Sequence, residues 1–414
     1  MSAPPRLPRD VRLLPEPPAA CKSEAPELGP RILFFSGGTA LRPLSRALKL
    51  LTHNSIHLIT TFDSGGSSAL LRRAFGMPAL GDLRNRVVAL ADETVRGNPQ
   101  IYRLFSHRLP RREPSALRAE LDALASGEHA LVRELVEPML QIVEAHLGFF
   151  IDRMPTDFDL RGANVGNLLL AGGYLQGDRD LESVLSFFSR LLEVRGLVRP
   201  VVPDDLHLGA LLADGSSVVG QHRLTGKEAA PIAASVQQLG LVRSLDDPTP
   251  AAARIGDEVR RHVEAADLIC YPMGSFYSSV IANLLPGGVG RAITRAACPR
   301  VYVPNTGADP EQRGMTVASS VEALLRYVRD DAGADVPPSQ VVNLVLLDRN
   351  EGNYALPVDV RALERMGVQV MSLTLVTEPS RSHIDPQRLA EALMSLSRPA
   401  APGQGLASVK DQHG

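Results

Sequence analysis

The chain predicts an α/β fold, a doubly wound and mainly parallel sheet carrying a helical insertion. Short, continuously apolar runs alternate with helical periods, as strands buried on both faces do when helices cover them. Several of those runs end in small, polar loops of Gly, Ser, Asn or Asp. A long central stretch, residues 95–195, keeps a helical period with no strand run. These three observations fit one large domain over residues 30–397, with the insertion at about 95–195.

Residues 1–29 repeat Pro and develop no apolar period, so they are expected to lack structure. The tail 398–414 reads the same way. Residues 32–35 form the first buried strand. Leu41, Leu44, Leu48 and Leu51 follow at helical spacing. Residues 56–62 form the next strand. In the middle of the chain Leu131, Leu135, Met139, Ile142, Val143 and Leu147 line one helical face, which Pro138 should kink or interrupt. Residues 164–176 and 181–194 read as helices joined by a turn at Gly177-Asp178. Residues 206–224 predict a hairpin, because Asp214-Gly215 accepts the positive φ of a tight turn between two β-rich runs. Residues 267–271, 300–303, 341–346 and 368–375 are further strands.

Composition excludes several classes. The 414 residues are 44% hydrophobic, carry a net charge of −2, and so offer no global field for nucleic acid or an anionic membrane. No run approaches a membrane span, and the Pro-rich start lacks the apolar core of a secretory signal. Cys21, Cys270 and Cys298 are scattered, without a CxxC pair, which fits a reducing cytoplasm rather than a disulfide framework or a zinc site. Of the 44 basic residues only Lys22, Lys49, Lys227 and Lys410 are lysine. A buried anion would therefore be held by Arg, whose planar fork suits phosphate oxygens; a GC-rich genome is an equal explanation of the bias.

The chemistry concentrates at strand ends. Ser36-Gly37-Gly38-Thr39 follows a strand and opens a helix, where glycine backbone and a helix N-terminus can approach phosphate oxygens. The plainer reading is a tight turn with Thr39 as N-cap. The stretch is neither a P-loop nor GxGxxG. Asp63 ends the next strand and leads into Ser64-Gly65-Gly66-Ser67-Ser68. Asp82 lies in a Gly-Asp-Leu-Arg-Asn run. Together Asp63 and Asp82 can share one Mg²⁺, which takes one or two carboxylates beside substrate phosphates. Alternatively Asp63 caps its loop and Asp82 is an N-cap. Arg84 and Asn85 lie one turn on, facing the same place, whereas Arg72 and Arg73 read as a solvated helix face. Asn164 and Asn167 start a helix as ligand-binding amides or as ordinary caps. Gly274 and Ser275, after the strand 267–271, form a second candidate anion turn, and Asn305 follows the strand 300–303. Ligands in open α/β sheets bind at this carboxyl edge. The ten His show no metal spacing, and no GxSxG elbow is present.

In this order SGGTALRPLSRAL, FDSGGSSALLRR, GDLRNRVVALAD, GANVGNLLLAG, LLADGSSVVGQ, MGSFYSSVIANLL and VYVPN resemble the CofD/YvcK superfamily. That family includes 2-phospho-L-lactate transferase of deazaflavin coenzyme biosynthesis and the bacterial gluconeogenesis factor YvcK. The resemblance runs from about residue 32 to 375, and the GGSS…GDLRN spacing is closer to the YvcK branch. It implies a Rossmann-like domain that binds a nucleotide diphosphate or its conjugate. It implies nucleotide contacts at Gly37, Gly38 and Thr39, and acidic positions near metal and acceptor at Asp63 and Asp82. Asn164, Asn167, Gly274, Ser275 and Asn305 would complete the cleft. Four departures mark this chain: Ala40 for a usual Gly, Phe62-Asp63-Ser64 for Ala-Asp-Asp, Arg84 for an Asp of the transferase branch, and Tyr271-Pro272-Met273 for a Gly-Pro-type turn.

The expectation is a Mg²⁺-dependent transferase that moves a phospho-containing, 2-phospholactyl-type group from a nucleotide diphosphate conjugate to an acceptor hydroxyl. Asp63 and Asp82 would be its catalytic and metal residues, with Ser67, Arg84 and Asn85 among the nucleotide contacts. The alternative is a non-catalytic, UDP-sugar-binding metabolic regulator of the YvcK type. A nicotinamide oxidoreductase shares the strand–turn–helix–strand–Asp order but lacks the glycine fingerprint. Partners are expected to be small nucleotides, with no nucleic acid or membrane and with a homodimer in view.

Overall fold

The computed structural model describes residues 12–13, 23–94, 97–226 and 228–397. Its main sheet holds eight parallel strands: β1 (Arg12–Leu13), β2 (Ile32–Ser36), β3 (Ile56–Ile59), β4 (Leu197–Pro200), β8 (Leu268–Tyr271), β9 (Arg300–Tyr302), β10 (Leu344–Asp348) and β11 (Gln369–Leu373). A second, antiparallel sheet holds β5 (His207–Leu212), β6 (Ser217–Val219) and β7 (Val236–Val242). The order across the main sheet is β1-β11-β10-β9-β8-β2-β3-β4. After the edge strand β1 the chain enters the middle of the sheet at β2, builds outward through β3 to β4, and returns to β8 to build the other way. That reversal, between β2 and β8, leaves a crevice above their carboxyl ends.

The strands are apolar throughout because both faces are covered. Alternate residues of β2 serve different cores: Ile32 and Phe34 pack with one face's cluster, Leu33 and Phe35 with the other's. Cys270 and Ile269 of β8 divide likewise. One face is covered by α1 (Arg42–Leu48) and α15 (Pro386–Leu396), which pack on each other. The other is covered by α11 (Asp257–Glu264), α12 (Val289–Arg295), α13 (Val317–Ala332) and the small sheet. The remaining helices of the second half are α10 (Gln221–Leu224) and α14 (Val360–Arg365).

Between β3 and β4 the crossover swells into a helical body: α2 (Gly66–Phe75), α3 (Gly81–Leu90), α4 (Pro99–Ser106), α5 (Pro114–Ala125), α6 (Ala130–Arg133), α7 (Met139–Arg153), α8 (Val165–Gln176) and α9 (Leu181–Leu191). It has its own core, in which Leu71 and Leu83 join Phe105, Phe150 and Phe188. Helices α2 and α3 therefore belong to it, and the body starts before residue 95. Pro138 does not kink a continuous helix: α6 ends at Arg133 and Pro138 stands just before α7, where its missing N–H costs nothing. The Asp214-Gly215 hairpin forms, with the Asp214 carboxylate accepting the Ser216 N–H at 3.0 Å.

Three strands lacked a clear sequence signal. β1 lies within the segment expected to lack structure, yet pairs with β11. β4 alternates half-buried and buried residues and ends in Pro200 at the sheet edge, where a missing donor is tolerated. β7 carries two consecutive exposed glutamines, Gln237 and Gln238, where its register with β5 shifts and the alternation is broken. The tail 398–414 lies outside the described residues. No described helix is long and apolar enough to cross a membrane.

Candidate functional site

The crevice above β2 and β8 opens into a cleft of about 400 Å³. Gly37, Gly38 and Thr39 form one wall directly after β2. The turn is braced from behind by Arg86, a fully buried residue of α3. Its Nη2 donates to the carbonyls of Gly37 at 2.8 Å and Gly38 at 3.2 Å, and its Nη1 donates to Ser45. Burial pulls the Arg86 guanidinium down to about 10, with Asp82 opposing. With those carbonyls turned toward Arg86, the N–H groups of Gly38 and Thr39 are used in no hydrogen bond among the described residues. Thr39 is not the N-cap: α1 starts at Arg42, and the Thr39 carbonyl only closes a turn with the Arg42 N–H.

Asp82 stands against this turn. A methyl group on Gly38 would overlap an Asp82 carboxylate oxygen, so only glycine leaves room for the acid there. Asp82 is the second residue of α3, not its N-cap, which is Leu80. A carboxylate in a first turn is favoured by the helix dipole. Asp63 lies in the same cleft, its Oδ1 accepting the Gly65 N–H at 3.1 Å. The loop-capping reading of Asp63 is thus realised, with Oδ2 left over on the side of Gly81. Ser64, standing where a second loop carboxylate was missed, turns its Oγ to His222 Nδ1 at 2.8 Å.

Arg84 is 7% exposed in the wall beside Asp82. Its Nε donates to Asn167 Oδ1 at 3.1 Å, and Asn167 Nδ2 donates to Ser67 Oγ at 3.2 Å. Asn85, Ser67 and Asn167 line the cleft as well. Asn164 does not: its Oδ1 caps the Asn167 N–H and its Nδ2 holds the His107 carbonyl, so it is an ordinary cap of α8. Arg72 also departs from expectation. It is buried, and it ties the Asp63 carbonyl to Asp205 and Leu206 rather than facing solvent.

Gly274 and Ser275 form the opposite wall after β8. Gly274 has a φ of +144°, which side-chain-bearing residues rarely adopt. Asn305 clamps it, accepting from its N–H at 2.8 Å and donating to its carbonyl at 2.7 Å. Asn305 itself lies outside the main cleft, in an adjoining cavity of about 600 Å³. The turn after Ser275 is not the anion-binding helix start that was expected. The chain makes one wide turn, Phe276–Val280, and its leading N–H groups are already taken. Phe276 donates to Asp309 at 2.8 Å, and Tyr277 and Ser278 donate to Glu311 at 2.7 and 2.8 Å. The anion at this turn is supplied by the chain itself.

Residues that sequence reading missed come from afar. Arg108 follows α4 and bridges to Asn164, the cap of α8, and Gln221, His222, Thr225 and Glu228 follow the hairpin; all line the cleft. Glu228 accepts the Gly66 N–H at 3.3 Å, at the start of α2. Arg86 was missed as well, because a cation four residues after Asp82 is an ordinary helix pattern. Among the described residues no group of three His, Cys, Asp or Glu side chains converges as a metal cage. Asp63 and Asp82 supply only hard oxygen donors, which fits a Mg²⁺ completed by phosphate oxygens.

Comparison with known proteins places this geometry. Residues 32–376 match the family described as 2-phospho-L-lactate transferase CofD. The putative gluconeogenesis factor of Nostoc sp. is 28% identical over 375 residues, covering 88% of this chain and 68% of that protein. That of Thermoanaerobacterium thermosulfurigenes is 28% identical over 376 residues, covering 89% and 97%. The gluconeogenesis factor of Bacillus subtilis is 27% identical over 356 residues, covering 84% and 92%. The crystal structure of a UPF0052 family member from Bacillus halodurans superposes with a TM-score of 0.64 at 25% identity, covering 88% of this chain and 99% of that one. With the family match running from β2 past β11, the chain belongs to the CofD family.

Proposed function

We propose that the cleft binds a nucleotide diphosphate conjugate, and that the chain acts as a nucleotide-sugar-binding metabolic regulator. The observation that carries the binding reading is the pairing of a braced Gly turn with Asp82 held against it. Diphosphate oxygens would lie on the N–H groups of Gly38 and Thr39. Asp82 and Asp63 would hold Mg²⁺, which, when bound, neutralises the diphosphate. Arg86 keeps the turn's carbonyls directed away from the ligand, and Asn167 orients Arg84. The regulator reading is supported by the names of the relatives. It is also supported by Ser64, whose hydroxyl is engaged by His222 where a further acid would serve chemistry.

The transferase is the second reading, favoured by the family description and by Asp82. In it, Asp63 or Asp82 would position the acceptor hydroxyl and take its proton; the acceptor oxygen bonds to the phosphorus of the phospholactyl-type group as that phosphorus loses its bond to the nucleotide's own phosphate, and the nucleoside monophosphate leaves. Thermal stabilisation by GDP, UDP and UDP-sugars, with and without Mg²⁺, tests the shared part. Nucleotide stabilisation that Asp82→Asn weakens is the expected result; no stabilisation by any of them overturns the binding reading. Phosphorus NMR of the bound conjugate then separates the two uses. An intact ligand after prolonged incubation with deazaflavin and other hydroxyl acceptors supports the regulator, and its consumption supports the transferase.

A further inference from the structure

We propose that Arg84 and Arg108 form an anion subsite separate from the Gly37–Thr39 turn, which receives a second anionic group carried by the ligand beyond its diphosphate. The inference rests on the reading of the cleft as a nucleotide diphosphate site. The group it takes is a carboxylate or a phosphate, both matched by the guanidinium fork.

The argument starts from charge that the protein leaves uncompensated. Arg84 is almost wholly buried, yet its hydrogen bond goes to the neutral amide of Asn167. Arg108 lines the same cleft and donates to the carbonyl of Gly162. Neither of these bonds reaches a carboxylate. A buried cation whose hydrogen bond ends on a neutral amide is costly unless an anion completes it. The contrast with the opposite wall sharpens the point. At Phe276–Ser278 the chain provides its own carboxylates, Asp309 and Glu311. At Arg84 it does not, and the arginines face the cleft. A ligand that ends in a neutral sugar would satisfy the diphosphate wall and leave this one uncompensated.

Calorimetric titration of the full chain with matched probes tests this. UDP-glucose and UDP-glucuronate differ by one carboxylate, and GDP and GTP by one phosphate. In the wild type the more anionic member of at least one pair is expected to bind about tenfold tighter, the scale of one good charge-assisted contact. In Arg108→Ala that preference should shrink to near parity while the less anionic member keeps its affinity. Arg108 is exposed, so this variant keeps the fold; Arg84→Lys, which retains charge but loses the fork, should show an intermediate preference. The pair that responds identifies the group. Equal affinity within both pairs, or a preference untouched by Arg108→Ala, overturns the subsite. Should no nucleotide bind, the nucleotide reading fails separately, and inorganic pyrophosphate decides: stabilisation weakened by Arg108→Ala retains the subsite, and any other result removes it.

Discussion

Gly38 and Asp82 share one small space, and each explains the other. A Cβ at Gly38 would strike the Asp82 carboxylate, whose short side chain must then swing off the turn. Gly38→Ala is therefore expected to spare most of the stability, with a loss of about 1 kcal/mol from local crowding, while abolishing the Mg²⁺-dependent part of nucleotide stabilisation. A melting series with and without Mg²⁺ checks both halves; a variant that retains the full Mg²⁺ response would show that Asp82 works elsewhere. Arg86 shows how such a position escapes a sequence reading. Sequence spacing put Asp82, Arg84 and Asn85 near one site, but an arginine between Asn85 and Val87 looks like any helical cation. Only the packing of α3 against α1 and β3 brings it to the Gly turn as its brace.

At the scale of elements, the wide turn after β8 behaves unlike the turn after β2 because of what lies beneath it. Glu311 is buried and accepts two N–H bonds and the Ser278 hydroxyl. Burial, joined by the neighbouring Asp309, pushes its carboxyl up to about 7, against the pull of those donors. A carboxyl raised in the folded state keeps a proton that the unfolded chain releases. Its contribution to stability is then present below the ordinary value of 4.5 and is lost as pH rises through about 7. Glu311→Gln removes that dependence, so the stability of the variant relative to wild type should rise between pH 4.5 and 7. Denaturant unfolding of both proteins across that range measures it, and parallel curves would show that Glu311 titrates normally. Histidines buried elsewhere act in the opposite sense: burial pulls His207 down to about 4, which penalises the fold as pH falls below 6.5. Comparing the variant with wild type cancels that background.

At the scale of the whole molecule, the site depends on a helical body inserted into a single sheet crossover. α3 carries Asp82, Arg84 and Arg86, and its inner face belongs to the core of that body. Phe188 is central to it, fully buried with its ring 4.7 Å from that of Phe105 and 5.3 Å from that of His146. Phe188→Ala should cost about 3–5 kcal/mol, the range for emptying an aromatic site in a core. The denaturant midpoint reads this directly, and a change below about 1 kcal/mol would mean that the body repacks freely.

Periodicity and loop chemistry, both local, made the central strands legible, along with the Asp214-Gly215 hairpin and the α8–α9 pair. They also pointed to the carboxyl edge, because strand-end Gly, Ser, Asn and Asp residues are a property of short segments. Edge strands β1 and β4 were not legible: a two-residue strand has no period, and a half-exposed one mixes its signals. Nor could local pattern rank the candidates within the site. Asn164 and Asn167 belong to the same motif, yet one caps a helix and the other orients Arg84. Ser275 and Gly38 follow strands alike, yet Asp309 and Glu311 fill the N–H groups of one turn, while those of Gly38 and Thr39 are used in no hydrogen bond among the described residues. Those outcomes depend on residues distant along the chain, and such long-range meetings are settled by packing, which no segment carries alone.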